Sequence, residues 1–222
     1  MSQFLKKTSA ILWKDILAEL RTKEIIASVL IFALLVIITF NFAFDPENIS
    51  LVASGILWVA FTFGGILGLN RSFVHEKDKG SLDGLLLSPV DREVIFLGKM
   101  MANLTFMLVV AAIVLSLFYI LFDLAVFRLE LVSVIILATI GFASVGTLFS
   151  AMAVNTRARE IMLPILFFPI ASPVIIAAVK ATQMVLDGES WNSLGSWFQL
   201  IGVFDIIFLV ASALVFEFVI EE

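Results

Sequence analysis

Few side chains in this sequence could do chemistry. There is no cysteine, so neither a disulfide nor a thiolate metal site can form, and a single histidine, His75, leaves little scope for metal ligation. Phosphate chemistry is equally unsupported. No G-x-x-x-x-G-K-[ST] sequence occurs, and the Gly98-Lys99 pair is followed by Met100, without a phosphate-cradling loop before it. What remains is a patterned polar stretch over residues 71–93 and one acidic residue, Asp205, inside an apolar run between Glu189 and Glu217. A carboxylate there costs about 2.5–3.5 kcal/mol at a helix centre on insertion scales, so it should face other protein and not lipid. Lys180 is its expected partner.

The elements that must position these residues are membrane spans. The 222-residue chain is 61% hydrophobic and 15% charged, with mean hydropathy +1.12, well above the roughly 45–50% apolar content of a soluble domain. Its net charge of −5 argues against nucleic acid as a partner. Uncharged runs long enough to cross about 30 Å of hydrocarbon predict an all-α protein with six spans, near residues 25–44, 50–70, 100–122, 131–154, 161–182 and 197–217. The last carries Asp205 and is the least regular of the six. The first apolar run follows a charged stretch and lacks a small-residue cleavage site, which predicts that it is retained.

Basic residues near span ends stay on the cytoplasmic side. With the amino terminus inside, twelve of the Lys and Arg residues fall on the cytoplasmic side and only Arg128 and Lys180 outside. Both termini, including the tail at 218–222, are then cytoplasmic. Ahead of the first span, in residues 1–24, Leu5, Leu12, Trp13, Ile16 and Leu20 share an arc of about 100°, with Lys7, Lys14 and Arg21 opposite. That pattern predicts an amphipathic helix lying in the headgroup boundary, its cations near anionic lipid.

In the cytoplasmic loop 71–99, Gly80 punctuates the charged run Glu76–Lys79, and Leu82, Leu85 and Leu86 follow at the spacing of one face of a short helix. Ser88-Pro89-Val90-Asp91 reads as a fresh helix start, with Ser88 as N-cap and Pro89 at the first helical position. Three leucines on a loop helix need a cover, either a groove on a soluble subunit or the bilayer surface.

Glu76-Lys77, then Gly80-Ser81-Leu82-Asp83-Gly84-Leu85-Leu86-Leu87-Ser88-Pro89, then Gly98-Lys99, resembles the E-x-x-x-G-[ST]-L-[ED]-x-L-x-x-x-P segment of ABC-2-type exporter permeases. Gly55–Ala60, Lys99–Ala102 and Leu163-Pro164-Ile165-Leu166 with Pro169 and Pro173 are similar to the heme exporter protein B (CcmB) family of cytochrome c maturation. The similarity runs in order through nearly the whole chain. It implies the ABC-2 permease architecture in a bacterial inner membrane, ATP held and hydrolysed on a separate ABC ATPase subunit, and a heme-handling membrane protein as a further partner. It also implies a coupling surface at Glu76, Lys77, Gly80, Ser81, Leu82, Asp83, Leu85, Leu86 and Pro89, and either two permease copies or one copy with a related subunit. The runner-up is a generic ABC-2 exporter of a lipid-linked or hydrophobic substrate. A passive membrane scaffold without a motor is a third reading.

Axial heme ligation would need His, Met, Cys or Tyr. Tyr119, Met107, Met152, Met162 and Met184 lie in or near spans, but methionine in an apolar helix is usually packing, and His75 sits in the polar loop. The chain is therefore expected to bind no cofactor itself and to pass motion to a heme-handling partner. Two further features concern packing. Gly64-x-x-x-Gly68 and Gly146-x-x-x-Ser150 permit close helix approach, expected within one subunit. Pro164, Pro169 and Pro173 would kink the fifth span and free carbonyls that need partners, as a hinge or as a static bend.

Overall fold

The computed structural model describes residues 2–22, 24–44, 49–78, 80–124, 126–154, 156 and 158–220. Eight helices follow in order: α1 (Ser2–Thr22), α2 (Glu24–Ala43), α3 (Ile49–Asp78), α4 (Ser81–Leu86), α5 (Arg92–Phe122), α6 (Leu129–Val154), α7 (Arg159–Leu186) and α8 (Trp191–Ile220). Among the described residues, six of these, α2, α3, α5, α6, α7 and α8, are long and apolar enough to cross a membrane. The protein is an all-α, multi-pass membrane protein. Asp205 does not interrupt the last span, because α8 runs unbroken for 30 residues through it.

The spans run longer than their uncharged cores. A helix continues past the hydrocarbon wherever its residues still favour helix and its polar groups find partners, so α3 carries on through the charged residues to Asp78 and α5 starts at Arg92, before its first long apolar run. Among the described residues the loop expected over 71–99 therefore contracts to 80–91, with α4 within it. The expected helix start at Ser88 is displaced. Ser88 Oγ instead donates to the Leu85 carbonyl at 2.6 Å, closing the end of α4, and Asp91, with extended backbone, takes the N-cap position of α5. With its hydroxyl turned back to α4, Ser88 does not cap α5.

The interior is made where helices approach closely. Helix α6 is buried along most of its length, enclosed by α3, α5, α7 and α8. Its Gly146 lies against Leu69 of α3, whose side chain would come within 2.5 Å of an added Cβ, and one turn on Ser150 Oγ donates to the Leu69 carbonyl at 2.9 Å. The α3 notch at Gly64 and Gly68 receives Val29, Val110 and Phe106 of α2 and α5. Both small-residue motifs thus pack helices of the same chain. Across the middle, Trp58, Phe61, Phe142 and Phe167 form a contiguous aromatic group with ring centroids 5.2–6.2 Å apart.

Helix α7 accommodates three prolines by turning Pro169 and Pro173 outward and Leu163, Phe167, Ala171 and Val174 inward. Pro173 has no N–H to offer the carbonyl of Pro169. Ser172 Oγ donates to that carbonyl instead, at 2.9 Å.

Candidate functional site

Helix α4 and its flanks hold the residues singled out by the loop pattern, but they do not all face outward. Gly80 sits at φ +67°, the left-handed conformation glycine adopts without penalty, and its N–H bonds back to the Lys77 carbonyl at 3.0 Å, ending α3. Ser81 Oγ donates to the Glu76 carbonyl at 3.2 Å, tying the first residue of α4 to the end of α3. Leu82 turns into the core and is 4% exposed, and Leu85 is half-buried against it. Leu82 therefore anchors α4 to its own subunit and offers little to a partner. Lys77 and Pro89 are exposed; the side chains of Asp83 and Leu86 lie outside the described residues. Among the described side chains of the loop the outward apolar one is Leu87, which the leucine pattern does not include and which is 87% exposed.

Glu76 is the sharpest departure. It is 8% exposed and joins a compact cluster with Lys99, Lys14 and Asp15, two cations against two carboxylates. Lys99, on the second turn of α5, is fully buried. It forms an ion pair with Glu76, lies 3.2 Å from Asp15 Oδ2 and sits 4.9 Å from the centroid of the Phe73 ring. Lys14 pairs with the other Glu76 oxygen and lies 3.1 Å from Asp15. Burial works to push the Glu76 carboxyl up, but the charge of Lys99 and the hydrogen bonds from Lys14 and Lys99 outweigh it and hold the group below its usual range. Burial likewise opposes the charge on Lys14, while its bonds to Glu76 and Asp15 hold its pKa above the ordinary value.

Helix α1 completes this arrangement by lying along α5. Ile11 occupies the space above Gly98, where an added Cβ would come within 2.8 Å of the Ile11 side chain. Lys7 Nζ donates to the Pro89 carbonyl at 2.9 Å, at the far end of the same loop. Of the apolar face expected to meet lipid, Leu5, Trp13 and Leu20 are outward, between 54% and 62% exposed, while Leu12 and Ile16 are half-buried; Lys14, expected near anionic lipid, pairs with Glu76 instead. Lys7, Lys14, Asp15 and Lys99 were not singled out from the loop pattern. Lys99 enters the sequence reading through the Gly98-Lys99 and Lys99–Ala102 resemblances and as a lone cation between Leu97-Gly98 and Met100-Met101, but its partners are remote in sequence.

The second intramembrane feature is Asp205, 7% exposed, which points from α8 at Gly141 of α6. Its oxygen lies 2.5 Å from where a Gly141 Cβ would stand, so any side chain at 141 would make the Asp205 carboxylate shift. The expected pairing with Lys180 does not occur: Lys180 is exposed on α7 and no ion pair joins the two among the described residues. The reason is geometric, since α8 turns the Asp205 face toward α6. Of the residues considered as heme ligands, Met107 is fully buried against Gly65, and Met152, Met162 and Met184 pack against the core. Tyr119 is half-exposed, its ring 5.7 Å from that of Phe127. The side chain of His75 lies outside the described residues.

Six spans, an interfacial helix and a polar loop locked beneath by buried charge define a multi-pass permease-type membrane subunit. The CcmB protein family matches residues 6–221, nearly the whole chain, and the chain belongs to that family. It is 28% identical to heme exporter protein B of Bradyrhizobium diazoefficiens over 208 residues, covering 91% of each chain. It is 29% identical to heme exporter protein B of Haemophilus influenzae over 182 residues, 78% of this chain and 80% of that one. A shorter stretch of 80 residues, 35% of this chain and 36% of the other, is 38% identical to heme exporter protein B of Escherichia coli K12.

Proposed function

We propose that this chain is the membrane permease component of a heme export system serving c-type cytochrome maturation, and that it is driven through the α4 loop by a separate ATP-hydrolysing subunit. Membership of the CcmB family and the name shared by its relatives support the export role. The observation that carries the drive is the loop itself: α4 is anchored inward by Leu82 while Leu87 stands 87% exposed beside it, an apolar knob on a braced support. An apolar side chain presented on a rigid base is what a groove on a soluble partner can hold.

In this reading α1 lies at the inner surface of a bacterial cytoplasmic membrane, with both termini and the α4 loop cytoplasmic, consistent with the distribution of Lys and Arg. Heme is cargo handled with a further membrane protein, and the spans of this chain contribute packing and motion instead of axial ligands. The test is co-purification from membranes. The wild-type chain should bring down an ABC ATPase and a heme-handling membrane protein, and Leu87→Glu should lose the ATPase while leaving the chain folded. Recovery of the ATPase alone would favour an exporter of another hydrophobic substrate, and undiminished capture by L87E would remove the docking role of the loop.

A further inference from the structure

The loop is tied to α1 at both of its ends, and the ties differ in kind. At its start, Glu76 binds Lys14 and Lys99 through its two carboxylate oxygens, while its backbone carbonyl accepts from Ser81 of α4. At its finish, the Pro89 carbonyl accepts from Lys7 at 2.9 Å. Between these ties, Asp15 bridges Lys14 and Lys99, and Ile11 seats over Gly98. Removing one member of such a buried set leaves the others uncompensated in a poorly solvated place, so the arrangement holds one geometry or comes apart.

We infer that the Lys14–Asp15–Glu76–Lys99 cluster is a rigid joint that makes α1, the α4 loop and the first turns of α5 move as one body, so that a displacement of α4 carries the interfacial helix with it. This rests on the proposal that α4 receives the drive, and it adds positioning residues that the loop pattern did not contain. Glu76 acts through other groups: its burial keeps it from a docking partner, and its two oxygens join α1 to α5. A loop hinged freely at Gly80 would absorb a push, whereas a loop whose α3 root is ion-paired to both neighbouring helices passes it on. The outward face of α1, with Leu5, Trp13 and Leu20 exposed, would then move against the lipid boundary as the loop moves.

The absence of cysteine allows spin labels to be placed without background. Labels at Trp13→Cys on α1 and Gly84→Cys on α4 would report the joint, since Trp13 is 62% exposed and Gly84 has no neighbour within 4 Å of an added Cβ. A second pair, Gly84→Cys with Phe218→Cys at the end of α8, would report displacement of the loop against the bundle. In the complex with its ATPase, the α1–α4 separation should stay fixed between nucleotide-free and ATP-trapped states while the α4–α8 separation shifts. Glu76→Gln should broaden the α1–α4 distribution at least twofold and cut c-type cytochrome formation at least tenfold, with ATPase capture and hydrolysis retained. The conservative exchange Glu76→Asp, which keeps the charge facing Lys14 and Lys99, should narrow the distribution again. Lys14→Gln, at the more exposed edge of the cluster, provides a milder variant with a smaller broadening should the exchange fail to fold. An unchanged α1–α4 width in E76Q, or an α1–α4 separation that shifts with nucleotide in the wild type, overturns the joint. Failure of the wild-type chain to capture an ATPase would count against the drive through α4, while the E76Q width, measured on the chain alone, still decides the joint.

Discussion

The two ends of the helix bundle are held by different chemistry. At the end bearing α1 and α4, the helices meet through four charges, one of them a lysine with no exposed surface. At the opposite end, α3 is fastened to α7 by neutral bonds, Trp58 Nε1 to Thr182 Oγ1 and Ser54 Oγ to Gln183 Oε1, both 2.9 Å. That end is not free of charge: Arg128 clamps the α5–α6 connection, donating to the Val185 carbonyl at 2.5 Å and lying 3.6 Å from Glu130, but this pair is partly open to solvent where the Glu76–Lys99 pair is buried. Neutral bonds contribute about 1 kcal/mol each, and leaving one buried partner unpaired costs about 1–3 kcal/mol. A buried ionic cluster is less forgiving, because its value lies in holding one arrangement and its failure exposes uncompensated charge. Under the proposed drive through α4, the end with the buried ionic cluster is the one that would pass displacement on.

The largest effect should come from Lys99→Ala. It leaves Glu76 and Asp15 buried with only Lys14, and breaking a buried pair costs about 3–5 kcal/mol, read as a lowered thermal transition in detergent together with increased proteolysis within α1. Next comes Gly98→Val. It places carbon where Ile11 already sits, an overpacking cost of about 1–3 kcal/mol, and should free α1 without disturbing the Trp58–Thr182 contact, as hydrogen exchange would reveal. Trp58→Phe removes a neutral bond, leaves the buried Thr182 hydroxyl without it and opens space at a fully buried ring, a cost of about 1–3 kcal/mol, with no change in α1 protection. If the tryptophan change loosened α1 as strongly as the lysine change, the contrast between the ends would fail.

Acidity offers a graded version of the same contrast. Glu76 is held below its ordinary value of 4.5, so its contribution is complete above that pH and disappears as pH falls through the lowered folded value. Lys14 is held above 10.5, so its contribution is complete below that pH and is lost only as pH rises beyond the raised value. Protection of α1 should therefore be flat across the neutral range and collapse at the acid edge, while the Trp58 and Ser54 bonds, which carry no titrating group, respond little. Hydrogen exchange followed from pH 7 down through the acid range below 4.5 measures the difference. The smallest stability effect belongs to Leu87→Ser, within about 0.5 kcal/mol because Leu87 packs on little.

Much of the architecture is legible in the chain because membrane insertion reads a local sum. A run such as Ile26–Ala43 or Leu131–Val154 is apolar whatever surrounds it, so its helix follows from hydropathy and length. The same logic accounts for α1, whose outward Leu5, Trp13 and Leu20 lie where the periodicity put them. The loop was harder to read. Its leucines have helical spacing, but spacing cannot say which face turns inward, and the structure buries Leu82 and presents Leu87.

What the sequence by itself determined is six spans, an amphipathic lead helix and a short helix-bearing loop between the second and third spans. Only the tertiary structure decided that Glu76 belongs to the interior and that Lys99 is its partner. Lys14 and Glu76 are 62 positions apart and Asp15 and Lys99 are 84 apart, and no local pattern links them. Whether such charges meet depends on how closely α1 can settle on α5, which turns on the missing Cβ at Gly98. Asp205 gives the same lesson from the middle of the membrane: its cost was readable from one residue, but its neighbour proved to be a glycine on α6 and not the lysine nearest in expectation.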